Sequence, residues 1–73
     1  MSIDPSAIIH ESAKIHKSAA ILAYAVIGAN VEIGAGTVID SHAVIAGPTK
    51  IGKNNHIYSF ASIGGDPQDI TYQ

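Results

Sequence analysis

A chain of 73 residues is one domain at most, and at this size folding buries only about 60% of the surface that the unfolded chain exposes. Its 47% hydrophobic and 14% charged content excludes a disordered segment, and its frequent Gly, Asn, Ser and Asp exclude a membrane span. Without cysteine there is no disulfide framework or thiolate metal site, and a net charge of −2 with only four Lys plus Arg leaves no basic footprint for nucleic acid. The first thirty residues carry no basic segment followed by an unbroken apolar run, so no export signal is expected and the compartment is read as reducing.

Taken from the N-terminus, the apolar residues follow neither a helical nor a simple alternating period. They recur every six. Isoleucine stands at Ile9, Ile15, Ile21, Ile27, Ile33, Ile39, Ile45, Ile51, Ile57 and Ile63, ten consecutive hexads without a miss. Four residues after each Ile the side chain is small or β-branched at Ala13, Ala19, Ala25, Val31, Thr37, Ala43, Thr49 and Ala61, with Asn55 and Pro67 as departures. A helix would scatter residues six apart around its surface, and a flat strand would place further apolar residues between them. Short strands separated by corners satisfy the pattern: three hexads form an eighteen-residue triangular coil, and coils stack by parallel ladders about 4.8 Å apart. The fold expected is all-β, a parallel β-helix of about three coils. Gly28, Gly34, Gly52 and Gly64 directly follow an Ile, where a corner has use for a residue without Cβ.

Stacking at eighteen residues turns the sequence into columns. Lys14, Glu32 and Lys50 share one, an acid between two bases on the outer wall. Tyr24, His42 and Phe60 share another, a ladder of rings that serves either as surface stacking or as a face toward a neighbouring subunit. His10, His16, His42 and His56 fall on different walls or heights and do not converge on a metal, so His10, His16 and His56 read as solvated surface residues. After Ile63 the rule breaks: Asp69 stands where the next Ile is due, preceded by Gly64, Gly65 and Pro67. Residues 1–65 are therefore read as the repeat region and 66–73 as the start of a loop leaving the solenoid. On that loop Asp69 and its neighbour Gln68 are the candidate binding residues, the carboxylate accepting from a sugar hydroxyl and the amide both donating and accepting; the alternative for Asp69 is ordinary turn capping.

The run FASIGGDPQD from Phe60 to Asp69, preceded by Gly47-Pro48-Thr49-Lys50-Ile51-Gly52 and by the opening Ile3-Asp4-Pro5-Ser6, closely resembles the N-terminal part of the acyl-[acyl-carrier-protein]–UDP-N-acetylglucosamine O-acyltransferases of lipid A biosynthesis, members of the hexapeptide-repeat transferases. The resemblance covers nearly the whole chain. It implies a left-handed β-helix and a cytoplasmic homotrimer that needs no metal or other cofactor. Its implied partners are acyl carrier protein as donor of an R-3-hydroxyacyl group and UDP-N-acetylglucosamine as acceptor through its 3-hydroxyl, with no nucleic acid and no membrane span. Gln68 and Asp69 match family positions that line the substrate cleft. None of the four histidines matches the family's catalytic base, so no catalytic residue is expected here, and the chain is expected to be an N-terminal fragment inactive by itself. Thr71 stands where the family often has a basic residue near the acyl group. Two other readings fit the repeat alone: a different hexapeptide acyltransferase, or a β-helix that binds or scaffolds without catalysis.

Overall fold

The computed structural model describes residues 2–64 and the backbone of 68–70. Twelve short strands follow in order: β1 (Ser2–Ile3), β2 (Ile8–Ile9), β3 (Lys14–Ile15), β4 (Ala20–Ile21), β5 (Val26–Ile27), β6 (Val31–Ile33), β7 (Val38–Ile39), β8 (Val44–Ile45), β9 (Thr49–Ile51), β10 (His56–Ile57), β11 (Ser62–Ile63) and β12 (Gln68–Ile70). Every third strand lies in the same sheet. The first wall is β1-β4-β7-β10, the second β2-β5-β8-β11 and the third β3-β6-β9-β12. Pairing is parallel, and each Ile meets the Ile eighteen residues away, as in Ile9 with Ile27 and Ile27 with Ile45. The molecule is a left-handed parallel β-helix. Because Ile3 pairs with Ile21, the repeat begins one hexad earlier than the ten-hexad reading that started at Ile9.

The interior is what the two-residue rule demands. Ile21, Ile27, Ile39, Ile45 and Ile51 are shut off from water together with Ala19, Ala25, Val31 and Ala43, so a large and a small side chain alternate around the axis. Burial decays toward the open ends, where Ile9, Ile15 and Ile63 are half-buried and Ile3 is 37% exposed. Two inward positions are polar and both are satisfied. The Thr37 hydroxyl donates to the Gly52 carbonyl at 2.6 Å and accepts from the Asn55 N–H, while the Thr49 hydroxyl donates to the Ala46 carbonyl at 2.6 Å.

The corners differ from expectation. Most are turns closed by a backbone bond from the residue four after an Ile to the residue one after it, such as Ala7 N–H to Asp4 O at 2.9 Å and Ala19 N–H to His16 O at 2.9 Å, while the Thr49 N–H donates to Asn30 O and the Asn55 N–H to the Thr37 hydroxyl. The left-handed residue is the third after the Ile: Tyr24, Asn30, Gly36, His42, Asn54 and Phe60 have φ between 56° and 69°. Of the four glycines that directly follow an Ile, only Gly64 has positive φ. Gly34 serves instead for close approach between coils, since a Cβ there would stand 2.6 Å from the Gly52 carbonyl.

The step beyond Gly64 differs too. Residues 65–67 and 71–73, Thr71 among them, lie outside the described residues, but Gln68–Ile70 form β12 and return to the third wall. Ile70, not Asp69, is in register with Ile51, so the interval from one coil to the next lengthens here from eighteen residues to nineteen. One extra residue after Ile63 accounts for the broken rule.

Candidate functional site

The third wall carries the candidate site because its outward positions are charged and its last strand holds both candidate residues. Lys14 pairs with Glu32 and Glu32 with Lys50, and Asp69 continues the column above Lys50. Gln68 takes the register of the buried Thr49, and Asp69 that of the exposed Lys50. The two candidates are thus adjacent in the chain but stand in register with one inward and one outward position. Their side chains lie outside the described residues. Beside the column runs an open groove of about 570 Å³, floored by Gly34 and Gly52 and bordered by Lys14, His16, Lys50 and Lys53.

A second constellation lies on the first wall and was not legible as a site. His56 Nε2 stands 3.4 Å from Asp40 Oδ2, and the His56 ring stacks on Tyr58 with centroids 4.1 Å apart. Asp40 is held below the ordinary carboxylate range, first by the Ser41 N–H and next by His56. His56 is therefore a partnered residue, although its side chain remains 45% exposed. The pair is spaced by sixteen residues, not eighteen, so the column alignment separates the two; allowing corner residues to meet the strand of the next coil would have found it. Among the described residues no three His, Cys, Asp or Glu gather as metal ligands.

The ring ladder is as expected. Tyr24 and His42 stack with centroids 5.2 Å apart, His42 and Phe60 at 5.1 Å, along the corner that follows the first wall. Tyr24 and Phe60 are largely exposed. His10 and His16 are exposed as well, yet each has a defined role. Their Nδ1 atoms accept the backbone N–H of Ser12 and Ser18, at 3.1 and 3.0 Å.

The bacterial transferase hexapeptide model, built of six repeats, matches residues 6–41 and 31–65. The chain belongs to the bacterial transferase hexapeptide family. Within this hexapeptide family it is 55% identical over 38 residues to an acyl-[acyl-carrier-protein]–UDP-N-acetylglucosamine O-acyltransferase of Saccharophagus degradans, a match covering 52% of this chain and 15% of that protein. Over its whole length it superposes on the crystal structure of a UDP-N-acetylglucosamine O-acyltransferase from Moraxella catarrhalis with a TM-score of 0.86 and 53% identity. That alignment takes in 28% of the solved chain, so this sequence spans under a third of the hexapeptide protein it matches. Among the described residues no helix is long and apolar enough to cross a membrane.

Proposed function

We propose that this chain is the N-terminal β-helical part of an acyltransferase that moves an R-3-hydroxyacyl group from acyl carrier protein to the 3-hydroxyl of UDP-N-acetylglucosamine, the first step of lipid A synthesis. The observation that carries the reading is the full-length superposition, at 53% identity, on a UDP-N-acetylglucosamine O-acyltransferase. The FASIGGDPQD run supports the same reading, because it departs from the hexad rule and is more specific than the hexads that many transferases share.

In this reading Gln68 and Asp69 bind the substrate. A carboxylate accepts hydrogen bonds from sugar hydroxyls, and an amide both donates and accepts, so the pair fixes the acceptor by orientation and not by charge alone. The base that takes the proton from the 3-hydroxyl is none of His10, His16, His42 or His56. Those belong to turn caps, the ring ladder and the Asp40 pair. The chain by itself is then inactive. Acyl carrier protein is the donor, the working assembly is a cytoplasmic homotrimer, and neither metal nor organic cofactor takes part. The repeat read as residues 1–65 continues into β12, and Gln68 and Asp69 on that strand carry the substrate contacts.

The test is acyl transfer by the longer protein that contains these residues. With 3-hydroxyacyl carrier protein and UDP-N-acetylglucosamine, an ester at the sugar 3-position is expected, and Asp69→Asn lowers kcat/KM by about tenfold or more, the loss of a charged hydrogen bond. Transfer to an amine or to another sugar would move the chain to a different hexapeptide acyltransferase. No transfer to any acceptor would leave the scaffold reading.

A further inference from the structure

One turn design occurs three times in the first coil, and its key side chain is not the same each time. The residue directly after Ile3, Ile9 and Ile15 is Asp4, His10 and His16, and two residues further on stand Ser6, Ser12 and Ser18. Asp4 Oδ1 accepts the Ser6 backbone N–H at 2.9 Å and the Ser6 hydroxyl at 2.6 Å. At the other two corners His10 and His16 Nδ1 accept the Ser12 and Ser18 N–H at 3.1 and 3.0 Å, with each serine hydroxyl 2.9 Å away. Each hydroxyl in turn accepts an amide N–H of the second coil, from Tyr24, Asn30 or Gly36. A backbone N–H can only donate, so Nδ1 of His10 and of His16 carries no proton, and both rings are held as the neutral Nε2–H tautomer.

We propose that His10 and His16 make the first coil a proton-sensitive rung, fastened to the second coil while both rings are neutral and released at their two corners when they are protonated. An imidazolium donates from both nitrogens. Its Nδ1–H then faces the serine N–H, so the backbone cap is lost, and the serine hydroxyl, unable to donate to the ring any longer, loses the orientation in which it receives the second-coil amide. Histidine is the side chain whose ordinary charge change falls between about pH 5 and 8, whereas a carboxylate in the same place keeps its charge across that range. The Asp4 corner therefore stays closed while the two histidine corners open. The loosening reaches β2 and β3, which stand at the ends of their sheets and whose Ile9 and Ile15 are only half-buried.

No ion pair offsets the loss. Glu11 and Lys17 are the chain neighbours of the two rings, residues 28–30 and 34–36 of the second coil bring no titratable group across the corners, and the groove beside His16 is bordered by Lys14, Glu32, Lys50 and Lys53. Among the described residues the one ion pair within 4 Å is His56 with Asp40. That pair answers acid in the opposite direction, because a charged His56 attracts Asp40 more strongly. A global unfolding midpoint mixes the two effects, so a decisive measurement resolves single sites. The device goes beyond the acyl-transfer reading and stands without it.

The experiment follows the isotope-labelled protein by NMR from about pH 8 to about pH 5. At the upper end the imidazole nitrogens of His10 and His16 are expected to show the proton on Nε2. As the pH falls, amide exchange at Ser12 and Ser18, corrected for its intrinsic pH dependence, should speed about fivefold or more, while Ser6 stays as it was. His10→Asn/His16→Asn replaces each ring by a side-chain carbonyl that accepts without titrating, and it should keep Ser12 and Ser18 protected at the acid end. An Nδ1–H tautomer at the upper end, unchanged protection of Ser12 and Ser18 in acid, an equal loss at Ser6, or an equal loss in the Asn variant would each overturn the proposal. The first three are read on the unaltered protein, so they decide the matter even if the variant does not fold.

Discussion

The Ser12 hydroxyl accepts the backbone N–H of Asn30, eighteen residues further on, at 2.9 Å. The other two corners of the first coil repeat the arrangement, Ser6 accepting from Tyr24 N–H and Ser18 from Gly36 N–H, each at 3.0 Å. Each serine is aimed by the residue two before it. The Asp4 carboxylate accepts from the Ser6 hydroxyl at 2.6 Å, and His10 and His16 Nδ1 lie 2.9 Å from the Ser12 and Ser18 hydroxyls. In the next coil a backbone carbonyl takes over the same task, as His42 N–H donates to Ala23 O and Asn54 N–H to Ala35 O. The first coil thus uses three hydroxyls where later coils use left-handed corners.

From this follows a stability prediction. Ser12→Ala leaves the Asn30 N–H to water, which costs about 0.5–1 kcal/mol at an exposed site. Ser6, Ser12 and Ser18 sit on separate corners, so the triple alanine variant should lose close to the sum. Urea unfolding midpoints check both values.

The interior should be graded along its axis. Ile45 is fully buried, and Ile45→Ala is expected to cost about 2–5 kcal/mol by removing apolar area and leaving a cavity. Ile63 has the same column position but is half-buried, and its alanine variant should cost clearly less. Equal losses at the two positions, by chemical unfolding, would contradict the axial grading.

Gly34→Ala drives a Cβ into the Gly52 carbonyl, a backbone group with no side-chain freedom to yield. A loss of about 1–3 kcal/mol is expected. Ala35→Gly, at the neighbouring corner position, is the comparison, and unfolding of both variants measures the difference.

Most of the solenoid was legible because one residue type marks every hexad, so the period survives substitution elsewhere. The corners were less so. Glycine after Ile drew attention to the wrong position, while the left-handed conformation falls on Tyr24, His42 and Phe60, whose ring stacking along the prism accompanies a φ that bulky residues seldom adopt. The Asp40–His56 pair was hidden by its sixteen-residue spacing. For the candidate site, the columns placed Lys14, Glu32 and Lys50 together, but not Asp69 above them, because one added residue moves β12 by a single step.

Acid should loosen the fold through two carboxylates. Asp4 is held below its ordinary value first by the Ser6 hydroxyl and then by the Ser6 N–H, and Asp40 first by the Ser41 N–H and then by His56. A carboxyl with a lowered folded pKa binds its proton more readily in the unfolded chain. The stabilisation is therefore complete above the ordinary Asp range, about pH 4, and is lost as pH falls through the lowered values. Asp4→Asn and Asp40→Asn should each flatten the fall in unfolding midpoint between neutral and acidic pH; an unchanged slope in both would contradict these assignments.

Every placement above depends on the eighteen-residue coil, and isoleucine methyl labelling reads it directly. Nuclear Overhauser contacts are expected from Ile27 to Ile9 and to Ile45, its partners in the second wall. Their absence, or contacts from Ile27 confined to residues three or four positions away, would contradict the β-helix and the site built on it.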